Sequence, residues 1–175
     1  HYQTFRSRLA GFPINVGLLS RFVPKARQTE VLKAAERGGR SFYVGGFVRD
    51  RMMGRENKDV DIEVHRITPG CLEEILDSLG QRIAIGESFG VFALAGYSLD
   101  IAMPRKESLR GQGHKDFDIF VDPFIGTEAA SRRRDFTFNA LMQDVLTGEI
   151  VDHFGGVEDL KSGVLRHVCD QSFGE

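Results

Sequence analysis

Hydrophobic and polar positions follow two different periods in the central part of the chain. Residues 41–44 form a short β-prone run that stops at two glycines, and residues 47–53 then have the apolar spacing of a helix. Residues 59–64 alternate strictly, so we expect a strand with aliphatic side chains on one face and acids on the other. The acids are Asp59, Asp61 and Glu63. The pattern predicts a strand, a glycine turn, a helix and an acidic second strand.

The flanking segments predict further elements, and one helix has Thr68 as its expected N-cap with Pro69 at its first position. Helices are predicted over residues 24–37, 69–79 and 128–143, and strands over 82–85, 89–95, 98–103 and 165–168, with a hairpin over 144–152. Residues 104–122, where basic side chains lie among glycines, are expected to be the least structured interior stretch. These elements predict an α+β domain, with a mixed β-sheet and helices mainly on one face.

Composition narrows the class of protein without defining it. The 175 residues suffice for one domain with a core, and a net charge of −2 does not mark the whole chain as a nucleic-acid binder. Cys71 and Cys169 lack metal-ligand spacing and are interpreted as reduced thiols of a cytoplasmic protein. We expect no membrane-spanning segment and no signal peptide, and the start at His1 suggests a fragment or a processed product.

The turn between the first strand and its helix is a candidate anion site. Gly45 and Gly46 lead into the helix, whose first N–H groups lack partners, and Arg49 would lie above them on the same helical face. Asp59 and Asp61, two residues apart on one face, can hold a hard divalent cation. Each feature alone is more often structural, as a helix-entry turn or a solvated strand face. Together they supply the phosphate and cation binding that nucleotidyl transfer requires.

Two adjacent motifs resemble those of a known family. They are Gly-Gly-x-x-Arg-Asp over residues 45–50 and Asp-x-Asp over residues 59–61. Both are similar to the first motif of the bacterial tRNA nucleotidyltransferases, the CCA-adding enzymes, and of the related bacterial poly(A) polymerases. The resemblance implies the polymerase-β-like nucleotidyltransferase fold, with a catalytic head over residues 24–170. It also implies transfer of CMP or AMP from CTP or ATP to the 3′ end of tRNA, or of another RNA, with release of pyrophosphate.

The resemblance further implies two Mg²⁺ ions. One would be held by Asp59 and Asp61, and the second would bind the triphosphate and stabilise the leaving group. Asp100, an acid inside an otherwise apolar strand, is the candidate third ligand, because related enzymes bear an acid at this strand position. The alternative for Asp100 is an edge position that faces water.

A second family motif is similar to residues 133–141. There Arg134 would donate to phosphate oxygens, Asp135 would accept a ribose hydroxyl, and Asn139 would bridge or brace them. The alternative is a solvated basic face in which Asp135 pairs with an arginine. Residues 152–160 resemble a third motif, to which we assign a structural role. The basic residues of the stretch 104–122, which either contact triphosphate or RNA or form a solvated loop, are Arg105, Lys106, Arg110, His114 and Lys115.

The chain ends and the detailed activity are less well defined. We expect residues 1–23 to form an N-terminal arm and residues 171–175 to begin a missing helical neck domain, whose motif selects C or A in the family. The isolated head would then lack base selectivity, or activity altogether. The alternatives are a bacterial poly(A) polymerase, a non-catalytic nucleotide- or RNA-binding domain that retains the fold and, less favoured, an antibiotic nucleotidyltransferase. The oligomeric state is left open.

Overall fold

The computed structural model describes residues 33–57, 59–86, 90–95, 99–109 and 117–169. Its strands are β1 (Arg40–Val44), β2 (Val60–His65), β3 (Arg82–Gly86), β4 (Val91–Leu94), β5 (Leu99–Ala102), β6 (Arg105–Leu109), β7 (Phe117–Val121), β8 (Met142–Asp144) and β9 (Ile150–Val151). Its helices are α1 (Gly46–Met52), α2 (Pro69–Asp77), α3 (Thr127–Arg132), a 3₁₀ helix (Thr137–Asn139) and α4 (Gly156–Ser162), and residues 33–36 are also helical. None of the helices in these ranges combines the length and the apolar character needed to span a bilayer. The predicted arm, most of the first predicted helix and the chain end lie outside the described residues.

One mixed sheet contains seven of the described strands. Their order is β3-β4-β5-β2-β1-β8-β9, and β2 and β5 are parallel, whereas the other neighbouring pairs are antiparallel. β6 and β7 form a separate two-stranded antiparallel sheet. The acidic strand β2 therefore lies between β1, which leads into the glycine turn, and β5, which carries Asp100. This agrees with the predicted α+β class.

The main hydrophobic core lies on one face of the sheet, as the alternation of β2 predicts. Val60, Ile62 and Val64 are buried there, and Tyr43 of β1 packs on the same side. Helices α1 and α2 cover this face with Phe47, Val48, Leu72, Ile75 and Leu76. Full burial of one such side chain stabilises the fold by about 1.5–3 kcal/mol. Because the aliphatic residues of β2 are used in this core, its acids are left on the opposite face.

Two local predictions are confirmed. The hydroxyl of Thr68 accepts the backbone N–H of Cys71 at 3.3 Å, with Pro69 at the first position of α2. The hairpin predicted over residues 144–152 is present as β8 and β9, and Gly148 in its turn has a φ of 77°. Both features depend on residues close in sequence, which is why the pattern alone could locate them.

The single long helix predicted over residues 128–143 is wrong. The chain forms α3, becomes extended at Phe136 (φ −112°, ψ 151°), makes one turn of 3₁₀ helix and then enters β8. The carboxylate of Asp135 accepts the N–H of Phe136 at 2.7 Å, and the N–H of Thr137 donates to the carbonyl of Arg166 at 3.0 Å. These bonds replace the helical ones, and the second depends on a distant segment that apolar spacing cannot show.

The described parts of the stretch over residues 104–122, which are 104–109 and 117–122, are more ordered than predicted. β6 and β7 pair in antiparallel register over five residues each. The prediction weighed the glycines and basic side chains and overlooked the β-prone run over 117–121. The last strand predicted over residues 165–168 is reduced to a single bridge between His167 and Phe136.

Candidate active site

Gly45 forms the corner around which the candidate site is built. It has φ 65° and ψ −140° and lies directly before α1. A Cβ at this position would lie 3.7 Å from Nη1 of Arg134 and 4.0 Å from Oδ2 of Asp61. The positive φ favours glycine, and the missing side chain leaves space between a guanidinium and a carboxylate. Three of the predicted site residues, from separate parts of the chain, are therefore brought together.

The predicted acids meet across β2 and β5. Asp61 and Asp100 are Cα partners in this parallel pair, so their side chains share one face of the sheet, and Asp59 lies two residues before Asp61. Burial raises the pKa of Asp61 and the charge of Asp100 raises it further, whereas Arg134 opposes this rise and Asp59 adds a smaller increase. A carboxylate such as Asp61, whose pKa neighbouring carboxylates raise, is stabilised in its charged form by a nearby cation.

These carboxylates fit a hard divalent cation for which the protein supplies only some of the ligands. Asp59 and Asp100 are exposed and Asp61 is half-buried, so the face is accessible. Within the described ranges, no group of three or more His, Cys, Asp or Glu side chains is arranged to hold a metal ion by itself. Mg²⁺ commonly uses one or two carboxylates together with phosphate oxygens and water. The donor set therefore suits a cation whose remaining ligands come from a phosphate-bearing molecule.

Arg49 connects the glycine corner to the second predicted motif. Its Nη2 atom would lie 3.4 Å from a Cβ at Gly46, as its place on the same helical face predicts. Nε donates to Oδ1 of Asp50 at 2.8 Å, and Nη1 donates to Oδ1 of Asn139 at 3.1 Å. Asn139 in turn donates through Nδ2 to Oδ1 of Asp135 at 3.0 Å. The predicted contact between Asn139 and Asp135 is thus present, although the two residues do not share one continuous helix.

The carboxylate of Asp135 is charged and accessible. Burial alone would raise its pKa, but the hydrogen bonds from Asn139 and from the backbone N–H of Phe136 outweigh burial and lower the pKa. The residue is exposed, so the carboxylate can still accept a further donor. Its short hydrogen bonds are to Asn139 and Phe136 and not to a neighbouring arginine, which argues against the simple ion pair considered as the alternative.

The two arginines of the second motif contact a buried acid, Glu63. Nη2 of Arg133 donates to Oε2 of Glu63 at 3.1 Å, and Nη2 of Arg134 lies 3.7 Å from the same oxygen. Nε2 of His65 lies 2.8 Å from Oε1. Burial alone would raise the pKa of Glu63, but the hydrogen bond to His65 and the charges of His65 and the two arginines outweigh it and lower the pKa. Glu63 is therefore a buried anion among basic neighbours.

Sequence reasoning gave no role to Glu63, His65 or Asn57. Asn57 donates to Oδ2 of Asp50 at 2.7 Å and accepts the N–H of Asp59 at 2.9 Å, so it ties the loop before β2 to α1. The alternation identified Glu63 as an acid of β2, and its position between Ile62 and Val64, two aliphatic residues, is the signal that could have indicated its burial. Asn57 gave no comparable signal, since its contacts depend on how the loop folds back on α1.

The basic stretch of residues 104–122 reaches the site at one described position. Burial lowers the pKa of Arg134 most, the charge of Arg133 lowers it further, and Arg105 on β6 adds a smaller decrease. Strand β6 therefore lies close enough to the site for its charge to act there. Residues Arg110, His114 and Lys115 lie outside the described residues, so their contact with triphosphate or RNA stays a prediction.

Residues 152–160 attach α4 to the rest of the domain, which agrees with the structural role predicted for them. The carboxylate of Asp152 caps α4 by accepting two backbone N–H groups at 2.8 and 3.0 Å. The buried carboxylate of Asp159 accepts the hydroxyl of Thr137 at 2.7 Å. Gly156 packs against the Thr137 carbonyl with no room for a Cβ. These contacts attach α4 to the 3₁₀ helix of the site.

The fold and the site together define the class of nucleotidyltransferase head domains. The acids of two adjacent strands face a glycine corner that leads into a short helix, and arginines from a later segment complete the arrangement. The family model of the poly A polymerase head domain matches residues 41–166. The chain therefore belongs to the poly A polymerase head domain family.

Individual relatives agree with this assignment. A multifunctional CCA protein of Stenotrophomonas maltophilia (strain K279a) is 39% identical over 127 residues, which are 73% of this chain and 30% of that protein. The Bacillus stearothermophilus CCA-adding enzyme in complex with CTP is 25% identical with a TM-score of 0.67, over 86% of this chain and 36% of that one. The Thermotoga maritima CCA-adding enzyme complexed with tRNA is 27% identical with a TM-score of 0.65, over 91% and 37%. The chain thus spans about a third of the length of these proteins.

Proposed function

We propose that the chain is the catalytic head of an RNA nucleotidyltransferase that adds CMP and AMP, from CTP and ATP, to the 3′ end of tRNA. The observation that carries this proposal is the meeting of Asp61 and Arg134 at the Gly45 corner, beside Asp100. A carboxylate for a cation and a guanidinium for phosphate at one place are what nucleotidyl transfer needs. The choice of tRNA is supported by the relatives, which are CCA proteins, one in complex with CTP and another with tRNA.

The nucleotide would be held by groups from both motifs. Arg49 and Arg134 donate to triphosphate oxygens beside the two glycines, where charge-assisted hydrogen bonds are strongest. Asp135 accepts a hydroxyl of the ribose, and Asn139 keeps its carboxylate in place. Arg49, Asn139 and Asp135 form one hydrogen-bonded chain. A shift of the side chain that binds phosphate would therefore also shift the side chain that binds the ribose.

Asp59 and Asp61 would hold Mg²⁺ together with phosphate oxygens and water, and Asp100, beside Asp61 across β2 and β5, is the candidate third ligand. The chemistry supplied by an ion held there would be a lower pKa of the attacking RNA 3′-hydroxyl and stabilisation of the pyrophosphate that leaves. The protein's own contribution is to keep the carboxylates on one face of the sheet, at the corner where the triphosphate lies. Their mutual repulsion, visible in the raised pKa of Asp61, is relieved when a cation is present.

Substitution of Asp61 tests the metal assignment. In the protein at its full natural length, we expect Asp61→Asn to retain the fold, because the side chains are nearly the same size, and to reduce Mg²⁺-dependent CMP incorporation by at least about 100-fold. Asp77→Asn is the matched control, since Asp77 is an exposed acid at the end of α2, whose pairing with Arg82 at 3.0 Å lies away from the site. Incorporation is measured with radiolabelled CTP, and folding by circular dichroism. Near-normal turnover by Asp61→Asn would refute the assignment.

Poly(A) polymerase is the second candidate, because the family model bears that name. The two activities differ in the RNA accepted and in where addition stops. tRNA transcripts that end before C, before CC and before CCA, each incubated with CTP or ATP alone, distinguish them. A CCA-adding enzyme incorporates only the nucleotide that the next position of the terminus requires and then stops, whereas a poly(A) polymerase extends general RNA 3′ ends with ATP. A non-catalytic binder would take up nucleotide without incorporation and without strong dependence on Mg²⁺.

Two further features belong to this proposal. We assign the catalytic head to residues 24–170, with residues 1–23 as an arm and 171–175 as the start of a neck domain. A cytoplasmic location is consistent with the interpretation of Cys71 and Cys169 as reduced thiols. Both assignments rest on the sequence and on the family.

A further inference from the structure

The central strand β2 carries a buried acid to which the proposed reaction gives no role. The side chain of Glu63 is 1% exposed, although it lies on the acidic face of the strand, two residues after Asp61. A buried carboxylate is strongly destabilising unless charged or hydrogen-bonding partners compensate for its lost hydration. The identity of those partners therefore indicates what Glu63 does.

The partners on one side are the two arginines of the second motif. Oε2 of Glu63 lies 3.1 Å from Nη2 of Arg133 and 3.7 Å from Nη2 of Arg134. The other terminal amino group of Arg134, Nη1, lies 3.7 Å from where a Cβ of Gly45 would be. Arg134 also interacts electrostatically with Asp61. Its guanidinium is thus held between two acids of the same strand face, with one edge toward the glycine corner.

The partner on the other side is His65. Its Nε2 lies 2.8 Å from Oε1 of Glu63 and acts as the donor, because an ionised carboxylate only accepts. The His65 ring is 3% exposed and packs edge-on against Phe42, with ring centroids 5.1 Å apart. Both carboxylate oxygens of Glu63 are therefore engaged, and the buried His65 ring limits rotation of the carboxylate.

We infer that Glu63, braced by His65, is a positioning residue that holds Arg134 with one guanidinium edge facing a nucleoside triphosphate at the Gly45 corner. The inference rests on the proposed function. Without the Glu63 anion, the charges of Arg133 and Arg134 would repel each other, and Arg134 would be drawn to Asp61, its remaining acidic neighbour. There it would compete with the cation for the carboxylate and leave the triphosphate without its donor.

Kinetic constants of Glu63→Gln separate this role from a purely structural one. In the protein at its full natural length, we expect the KM for CTP and for ATP to rise by roughly 10- to 100-fold, because a phosphate donor is misplaced, while the KM for the RNA primer stays unchanged. The matched control is Glu128→Gln on α3, an exposed acid that pairs with Arg132 at 2.7 Å. An exposed pair of this kind contributes little, so both KM values should equal those of the parent protein.

A merely structural role would give a different result. Loss of folded protein lowers kcat through the active fraction and leaves both KM values unchanged, and that outcome would overturn the inference. Calorimetric titration with CTP keeps the test independent of the proposed function. If the parent protein binds CTP without incorporating it, the proposed function fails, whereas the inference still requires Glu63→Gln to weaken CTP binding by about tenfold or more.

A second variant covers the case in which Glu63→Gln does not fold. Glu63→Asp keeps the buried charge and withdraws the carboxylate by one methylene, which changes its distance to Arg134 without leaving the arginines unneutralised. We expect the same direction of change, a higher KM for nucleotide with an unchanged KM for RNA. A folded Glu63→Asp protein with parental nucleotide KM would contradict a positioning role.

Discussion

Asn139→Asp tests whether the hydrogen-bonded chain from Arg49 to Asp135 sets the ribose position. Aspartate at position 139 keeps the oxygen that accepts Nη1 of Arg49 at 3.1 Å. It replaces the amide that donates to Oδ1 of Asp135 at 3.0 Å with a second carboxylate oxygen. Because the two side chains are nearly the same size, the substitution changes charge and hydrogen bonding and leaves packing almost unaltered.

Two effects determine the size of the expected loss. A hydrogen bond to a charged acceptor contributes about 1.5–3 kcal/mol, and the lower end applies because Asp135 is exposed. Two unit charges at the 3.0 Å separation of these atoms repel by about 1.4 kcal/mol at the dielectric constant of water. Together they amount to about 3 kcal/mol, which corresponds to a decrease of about 100-fold in kcat/KM for CTP.

The assay compares CTP with its 2′-deoxy and 3′-deoxy analogues in the protein at its full natural length. The decrease should be smaller for the analogue that lacks the hydroxyl accepted by Asp135, because parent and variant then differ less. Gln143→Glu is the control, since it makes the same amide-to-acid change at a side chain that donates to the Gly148 carbonyl at 3.0 Å, in the turn after β8. A kcat/KM for Asn139→Asp within about threefold of the parent value, less than 1 kcal/mol, would refute the reasoning.

Two further predictions concern stability and are checked by urea unfolding. Asp144→Ala should lower the free energy of unfolding by about 3–5 kcal/mol. The reason is that the buried carboxylate accepts two backbone N–H groups and pairs with Arg40 at 2.8 Å. A loss below about 1 kcal/mol would contradict this. Gly156→Ala should cost about 1–3 kcal/mol, because its Cβ would overlap the Thr137 carbonyl. Gly80→Ala, with open space around it, should change stability by less than about 0.5 kcal/mol, and equal effects at the two glycines would reject the packing argument.

The elements predicted correctly are those whose signals are local. Strict alternation identified β2 and its two faces, and a threonine followed by proline marked the start of α2. The prediction of one long helix over residues 128–143 was wrong. The segment has the apolar spacing of a helix, but its backbone groups form hydrogen bonds with other parts of the chain. The N–H of Thr137 binds the carbonyl of Arg166, and Phe136 bridges to His167, so partners far along the chain override the local preference.

The candidate site shows the same division. The motifs placed Gly45, Asp61 and Arg134 among the functional candidates, but their spacing did not show that all three meet at one corner. Glu63 was visible as an acid on the right face of its strand. Its role could not be read there, because a carboxylate on a strand face is equally consistent with solvent exposure.

The sequence alone determined the family, the strand, turn and helix around Gly45, and the common face of Asp61 and Glu63 on β2. These features depend on side-chain period and on backbone preferences of neighbouring residues. Only the tertiary structure decided that Asp100 stands beside Asp61 and that Arg134 lies between Asp61 and Glu63. Those contacts depend on which strands pair and in which register. Strand pairing and register are set by burial of the whole core, and no single segment of the sequence specifies them.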